Sequence, residues 1–160
     1  MRPPALQLEP VGPADHALGP QGARVTVVEY GDFECPRCKQ ATGAVKLLLA
    51  HFEQRIRFVF RNFPLEEIHP HALHAAEVGE CAGGQEKFWQ MHDLLFEQQR
   101  HLELSQLYGH ARTLELDMAR FSAEMEGEIY LQRVRDVHCS TPSRRSFDRA
   151  PRRRPRCADR

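Results

Sequence analysis

The sequence lacks any apolar run long enough to cross a membrane, which takes about 20 residues. Its N-terminal part also lacks the continuous apolar core of a secretory signal peptide. We therefore expect a chain that stays in the cytoplasm and has no membrane partner. Its 160 residues, of which 41% are hydrophobic and 28% charged, suit one globular domain.

Cysteine is scarce and odd in number, with five residues in the chain: Cys35, Cys38, Cys81, Cys139 and Cys157. An odd count without a leader argues against a framework of structural disulfides. In a reducing compartment, a close pair such as Cys35 and Cys38 is typically redox-active or binds a metal. We interpret Cys81 as a buried helical residue.

A second CxxC motif is also absent, and this weakens the zinc interpretation. A structural zinc site needs two more ligands at suitable spacing. His69, His71 and His74 follow about 30 residues later, but no two of them are four residues apart on the helix predicted there. We expect no metal and no cofactor, with a zinc site and an inert cysteine pair left as weaker alternatives.

The net charge of zero hides an asymmetry along the chain. Residues 139–160 carry eight Arg against two acids, and one large apolar residue, Phe147. We predict a disordered tail there, because it cannot bury enough surface to fold. Its Arg run could contact nucleic-acid phosphates, a weaker functional alternative; the run comprises Arg144, Arg145, Arg149, Arg152, Arg153, Arg154 and Arg156.

Hydrophobic patterning predicts an α/β domain over residues 24–138. Residues 1–23, with five Pro and three Gly, are predicted to be an extended lead-in. The β-branched run at 24–30 predicts a central strand covered on both faces. A helix follows from the CPRC motif to about Glu53, and a second strand covers 56–61. This order implies a parallel pair of strands.

The remainder, about residues 66–137, is predicted to be a helical insertion. Apolar residues at helical spacing indicate helices at about 70–82, 86–99, 104–113 and 117–137. We interpret their apolar stripes as packing surfaces of the core.

The motif Cys35-Pro36-Arg37-Cys38 at the start of a helix indicates thiol chemistry. Free helix N–H groups and the positive end of the helix dipole converge on Cys35 and stabilise its thiolate. Arg37 adds positive charge, and Pro36 suits the first helical turn. Cys35 is therefore expected to attack a partner disulfide, and Cys38, one turn further in, to resolve the mixed disulfide.

Glu29 is the third candidate catalytic residue. It ends the predicted buried strand six residues before Cys35. Burial raises the pKa of a carboxyl group, which suits proton exchange with Cys38 during resolution. The alternative is a strand-end acid without a role.

Several segments resemble the DsbA-like thioredoxin family of bacteria over about residues 14–136. They are DHALGP (15–20), VTVVEYGDFECPRC (25–38), FVFRNFPL (58–65), HPHA (69–72) and KFWQMHDLLFEQQ (87–99). The resemblance implies a thioredoxin-like fold with an inserted all-helical subdomain. It also implies disulfide exchange with protein substrates at Cys35 and Cys38, and an acid at Glu29. The resemblance further implies that His69 and His71 are structural residues and not metal ligands.

After about residue 138 the sequence departs from this family. The resemblance implies a cis-proline segment, two more strands and a last helix, whereas here Thr141 and Pro142 come early and Arg residues follow. Pro142 is the candidate for the cis-proline. We hypothesise a shifted reading frame or truncation that removes the C-terminal strands. The expected function is a protein thiol–disulfide oxidoreductase served by an unidentified redox partner; an inactive relic is the main alternative.

Overall fold

The structure is a computed structural model that describes residues 10–140, with side chains as far as Arg135. Three strands and six helices follow one another along this part of the chain. The strands are β1 (His16–Leu18), β2 (Val25–Gly31) and β3 (Ile56–Asn62). The helices are α1 (Pro36–Phe52), α2 (Ala72–Gly83), α3 (Phe88–Glu97), α4 (Leu104–Thr113), α5 (Met118–Glu126) and α6 (Leu131–Ser140).

The three strands form one mixed sheet in the order β1-β3-β2. β2 and β3 pair in parallel, as their predicted connection through a helix requires. β1 pairs antiparallel with β3, and His16 lies opposite Phe60. Sequence patterns predicted an extended lead-in here but did not predict this strand, because three residues are too short a pattern to signal a strand by themselves.

Buried polar contacts hold β1 and the segment before it against the body of the protein. Arg61 on β3 donates to both carboxylate oxygens of Asp15, at 2.7 and 2.9 Å. The His16 ring stacks on Phe88, and its Nε2 lies 3.1 Å from the buried Glu80 carboxylate. These contacts join residues far apart in sequence, which is why the local pattern did not reveal them.

β2 is less buried than its continuous apolar run predicted. It lies at one edge of the described sheet, and Val25 remains 52% exposed. Within the described residues, no strand covers its outer side. The expected loss of C-terminal strands concerns residues 141–160, which lie outside the described part of the chain.

The helical insertion supplies most of the core. α2 and α3 pack against each other and on the sheet. Five phenylalanine side chains pack together in this core: Phe33, Phe58, Phe60, Phe88 and Phe96. Cys81 lies on α2 and is 1% exposed, which confirms its interpretation as a buried helical residue.

The helix predicted at 117–137 is two helices, α5 and α6. Gly127 ends α5, where its N–H bonds the carbonyl of Ala123, and Glu128 adopts a left-handed φ of 50°. The apolar spacing of Met125 and Ile129 continues across this turn and conceals it from a periodicity argument. Ile129 is in fact 62% exposed.

Candidate active site

Cys35 occupies the N-cap position of α1, with φ −75° and ψ 120°. Side chains at this position face the unpaired N–H groups of the first turn, where Ser or Asp would normally accept a hydrogen bond. No side chain caps α1, and Pro36 sits in the first turn as predicted. The first-turn N–H groups are thus available to stabilise a thiolate at Cys35.

Cys38 lies one turn further along α1 and is half-buried. Its thiol is within hydrogen-bonding reach of the Cys35 thiol and of the Asp32 backbone. Burial, the neighbouring Cys35 and the charge of Glu29 raise the pKa of Cys38 to about 11, against the opposing hydrogen bond with Asp32. Cys38 is therefore a protonated thiol at neutral pH and needs a base before it can attack.

Glu29 lies on β2, half-buried, and is close enough to influence Cys38 electrostatically. Its burial raises the pKa of its carboxyl group above the usual value. It also lines a small cleft between α1, α3 and the sheet. Cys38 therefore lies within hydrogen-bonding reach of Cys35 and within electrostatic range of Glu29, so the three residues singled out from the sequence are near one another.

The cleft beside Glu29 is mainly apolar and includes Trp89 and His92 of α3. His92 Nδ1 lies 3.0 Å from Asp93 Oδ1, and Lys46 of α1 donates to Asp93 Oδ2 at 2.7 Å. Burial among aromatic rings lowers the pKa of His92, although Asp93 opposes this effect. Separately, the ion pair between Lys46 on α1 and Asp93 on α3 joins the helix that carries Cys38 to the helical insertion.

Asp32 anchors the loop that leads into the motif. Its carboxylate, 2% exposed, accepts hydrogen bonds from the backbone N–H groups of Glu34 and Leu65 and from His69 Nδ1 at 2.7 Å. Glu34 in turn accepts from the N–H of His71 at 2.7 Å. His69 therefore supports the active-site loop, and no group of three or more potential metal ligands is found among residues 10–135.

Arg37 is exposed on the first turn of α1, beside the motif rather than within the core. Pro142, the candidate cis-proline, and the Arg-rich tail lie outside the described residues. Sequence reasoning missed the contributions of Asp32, His92 and Gln99, whose side-chain Nε2 donates to the carbonyl oxygens of Phe33 and Cys35. All three lie in the segments that carried the family resemblance, but their contacts reach across the fold and give no local signal.

A thioredoxin-like sheet, a CxxC motif at a helix N-terminus and a half-buried acid behind it define a thioredoxin-fold protein with a dithiol site. The family model described as thioredoxin matches residues 12–140. The chain belongs to this family, in its DsbA-like branch, and the predicted thioredoxin-like fold is confirmed. No helix among residues 10–140 has the length and apolar character needed to span a membrane.

Solved structures with the same fold include a thioredoxin-like oxidoreductase and a DsbA protein. A thioredoxin-like oxidoreductase from Silicibacter pomeroyi DSS-3 superposes with a TM-score of 0.68 at 26% identity, covering 81% of this chain and 70% of that one. Pseudomonas aeruginosa DsbA2 gives a TM-score of 0.62 at 28% identity, covering 81% of this chain and 73% of that one. These neighbours support thiol–disulfide exchange in general terms.

One curated relative is named as an ion antiporter and not as an oxidoreductase. The chain is 54% identical over 113 residues to the Na(+)/H(+) antiporter NhaA 1 of Salinispora arenicola. This match covers 70% of the chain but 17% of the antiporter. The chain thus spans less than a fifth of that relative's length.

Proposed function

We propose that this chain is a protein thiol–disulfide oxidoreductase that uses Cys35 as nucleophile and Cys38 as resolving thiol. One observation carries the proposal: Cys35 occupies the N-cap position of α1, while the Cys38 thiol lies within hydrogen-bonding reach of the Cys35 thiol and under the electrostatic influence of Glu29. A nucleophile, a resolving group and a base are therefore present together.

The proposed reaction has two balanced steps. The Cys35 thiolate attacks a protein disulfide, forms a mixed disulfide and displaces one substrate thiolate, which takes up a proton. Cys38 then gives its proton to the Glu29 carboxylate and attacks Cys35 Sγ, releasing the second substrate thiolate, which takes up a proton from Glu29 or from solvent. The substrate is reduced by two electrons and Cys35–Cys38 becomes a disulfide; the reverse sequence oxidises a substrate dithiol.

Insulin reduction and oxidation of a dithiol peptide test this proposal. We expect activity in the wild type, none in Cys35→Ser, and a trapped covalent adduct with substrate in Cys38→Ser. Cys81→Ala is the matched control, because Cys81 is buried on α2 within the core. A folded wild type without activity in either direction would refute the proposal and favour the inactive relic.

The direction of exchange is to be read from the reduction potential of the pair. A value near about −120 mV would indicate an oxidant and one near about −270 mV a reductant. A cytoplasmic location, which stays a prediction, favours the reductant. The proposed partners are protein disulfides or thiols and a redox protein that restores the pair. Ion transport is not included, because the antiporter match spans 17% of that relative.

Nucleic-acid binding through the Arg-rich tail stays a weaker alternative. It requires salt-sensitive DNA binding that is lost when residues 139–160 are deleted. Unchanged binding after the deletion would exclude it.

A further inference from the structure

Gln99 contacts the active-site loop directly from the helical insertion. It lies just beyond the end of α3, half-buried, 64 residues from Cys35 in sequence. Its side-chain Nε2 donates to the carbonyl oxygen of Phe33 at 2.8 Å and to that of Cys35 at 2.9 Å. Both hydrogens of the amide group are thereby used on two carbonyls that flank Glu34.

We propose that Gln99 is a positioning residue for Cys35, an inference that rests on the proposed thiol–disulfide function. The Cys35 N–H donates to the Asp32 carbonyl at 3.1 Å, and the Cys35 carbonyl accepts from the Lys39 N–H at 3.2 Å. Gln99 adds a second donor to that same carbonyl. It thus fixes the peptide group between Cys35 and Pro36, where α1 begins.

The position of this peptide group matters for the reactivity of the thiolate. The first-turn N–H groups stabilise the Cys35 sulfur only while the turn keeps its geometry. The Phe33 and Cys35 carbonyl oxygens carry partial negative charge close to the motif, and the Gln99 amide donors offset that charge. Loss of Gln99 should therefore disfavour the thiolate and, with it, the dithiol form of the pair.

A second contact links the same regions. Lys39 Nζ, on the first turns of α1, donates to the Glu97 carbonyl at 3.2 Å. The end of α3 thus meets the start of α1 at two points, through Gln99 and through Glu97. Because α3 packs on α2 and the sheet core, Gln99 fixes the position of Cys35 relative to the helical insertion.

The test replaces Gln99 in two ways. Gln99→Met keeps the approximate length and removes the donors, and Gln99→Glu places a carboxylate against two carbonyl oxygens. Gln98→Met and Gln98→Glu are the matched controls, since the Gln98 side chain is exposed. The readouts are the pH profile of Cys35 alkylation by iodoacetamide, followed by mass spectrometry, and the equilibrium of the pair with glutathione.

We expect Gln99→Met to slow Cys35 alkylation near neutral pH by about fivefold, the effect of a lost hydrogen bond. Gln99→Glu should slow it by about tenfold or more, because it adds repulsion. The glutathione equilibrium should move toward the disulfide by about tenfold, which equals about 30 mV for a two-electron couple. The Gln98 variants should match the wild type in both measurements.

Gln99 variants that equal the Gln98 controls in both readouts would overturn the inference. Loss of the folded circular dichroism spectrum in both Gln99 variants would overturn it too, since the residue would then be needed for folding. Both readouts are independent of catalysis. If the wild type exchanges no substrate disulfides while Gln99 still governs Cys35 reactivity, the proposed function fails and the positioning role stands.

Discussion

Replacement of Glu29 by Gln tests whether the resolving thiol depends on a nearby base. The pKa of Cys38 is raised to about 11, with burial as its largest cause. A thiol with that pKa is ionised in about one molecule in 10,000 at pH 7. Spontaneous ionisation therefore supplies very little of the attacking thiolate.

Two effects of the substitution oppose each other. A carboxylate that accepts a proton during the reaction typically contributes about 10²–10⁴-fold in rate. Removal of the Glu29 charge also lowers the pKa of Cys38, but this charge is the smallest of the contributions that raise it. The lost base should win, and we expect resolution in Glu29→Gln to be about 100-fold slower at pH 7.

The assay prepares a mixed disulfide between Cys35 and glutathione and follows its resolution by acid quench and mass spectrometry. In Glu29→Gln the rate should rise about tenfold per pH unit up to about pH 10, because only the spontaneous thiolate reacts. In the wild type it should level off above the raised pKa of Glu29. Glu53→Gln, at the exposed end of α1, is the control. Equal rates and equal pH slopes in Glu29→Gln and the wild type would refute the reasoning.

Three further predictions concern stability. Burial, followed by repulsion from acidic neighbours, raises the pKa of Glu77 from 4.5 to about 7; the unfolded state therefore loses its proton first, and stability should fall as pH rises from about 4.5 to about 7. At pH 8, the free energy of unfolding measured in urea should be up to about 3 kcal/mol higher for Glu77→Gln than for the wild type. The control Glu126→Gln, at an exposed position, should show no gain. A Cβ at Gly31 would clash with the Phe60 ring, so Gly31→Ala should cost about 1–3 kcal/mol by overpacking, whereas Gly43→Ala, in open space on α1, should gain about 0.5–1 kcal/mol. No strand among the described residues covers the outer side of β2; we therefore predict a weakly stable, aggregation-prone chain, and cooperative thermal unfolding above about 60 °C would contradict that.

Local patterns were sufficient to predict the parts of the site that are close in sequence. The β-branched run, the helix start at Pro36 and the acid at Glu29 all act within ten residues of Cys35, and their positions agree with the structure. Long-range partners were not predictable in this way. Gln99 approaches Cys35 through tertiary packing alone, so no spacing rule identifies it.

The failures in the fold have the same kind of cause. β1 is a three-residue strand whose pairing depends on β3, forty residues later, and on the buried Asp15–Arg61 ion pair. The turn after α5 begins at Gly127, but the left-handed residue is the next one, Glu128, a residue type that does not favour this conformation. In both cases tertiary contacts overrule a weak or misleading local preference.

Helix α1, which begins directly after Cys35 and carries Cys38, places none of its 17 residues fully in the core, and Leu47 on it is 75% exposed. The free energy of local opening follows the number of buried contacts, so α1 should open and close as a unit while the sheet and the helical insertion stay folded. Among the long helices, amide hydrogen exchange should be fastest in α1. Each opening would expose Cys38 to water and remove the burial that raises its pKa. Small thiols could then reach the resolving cysteine, and the lifetime of every mixed disulfide would depend on how firmly one helix remains docked.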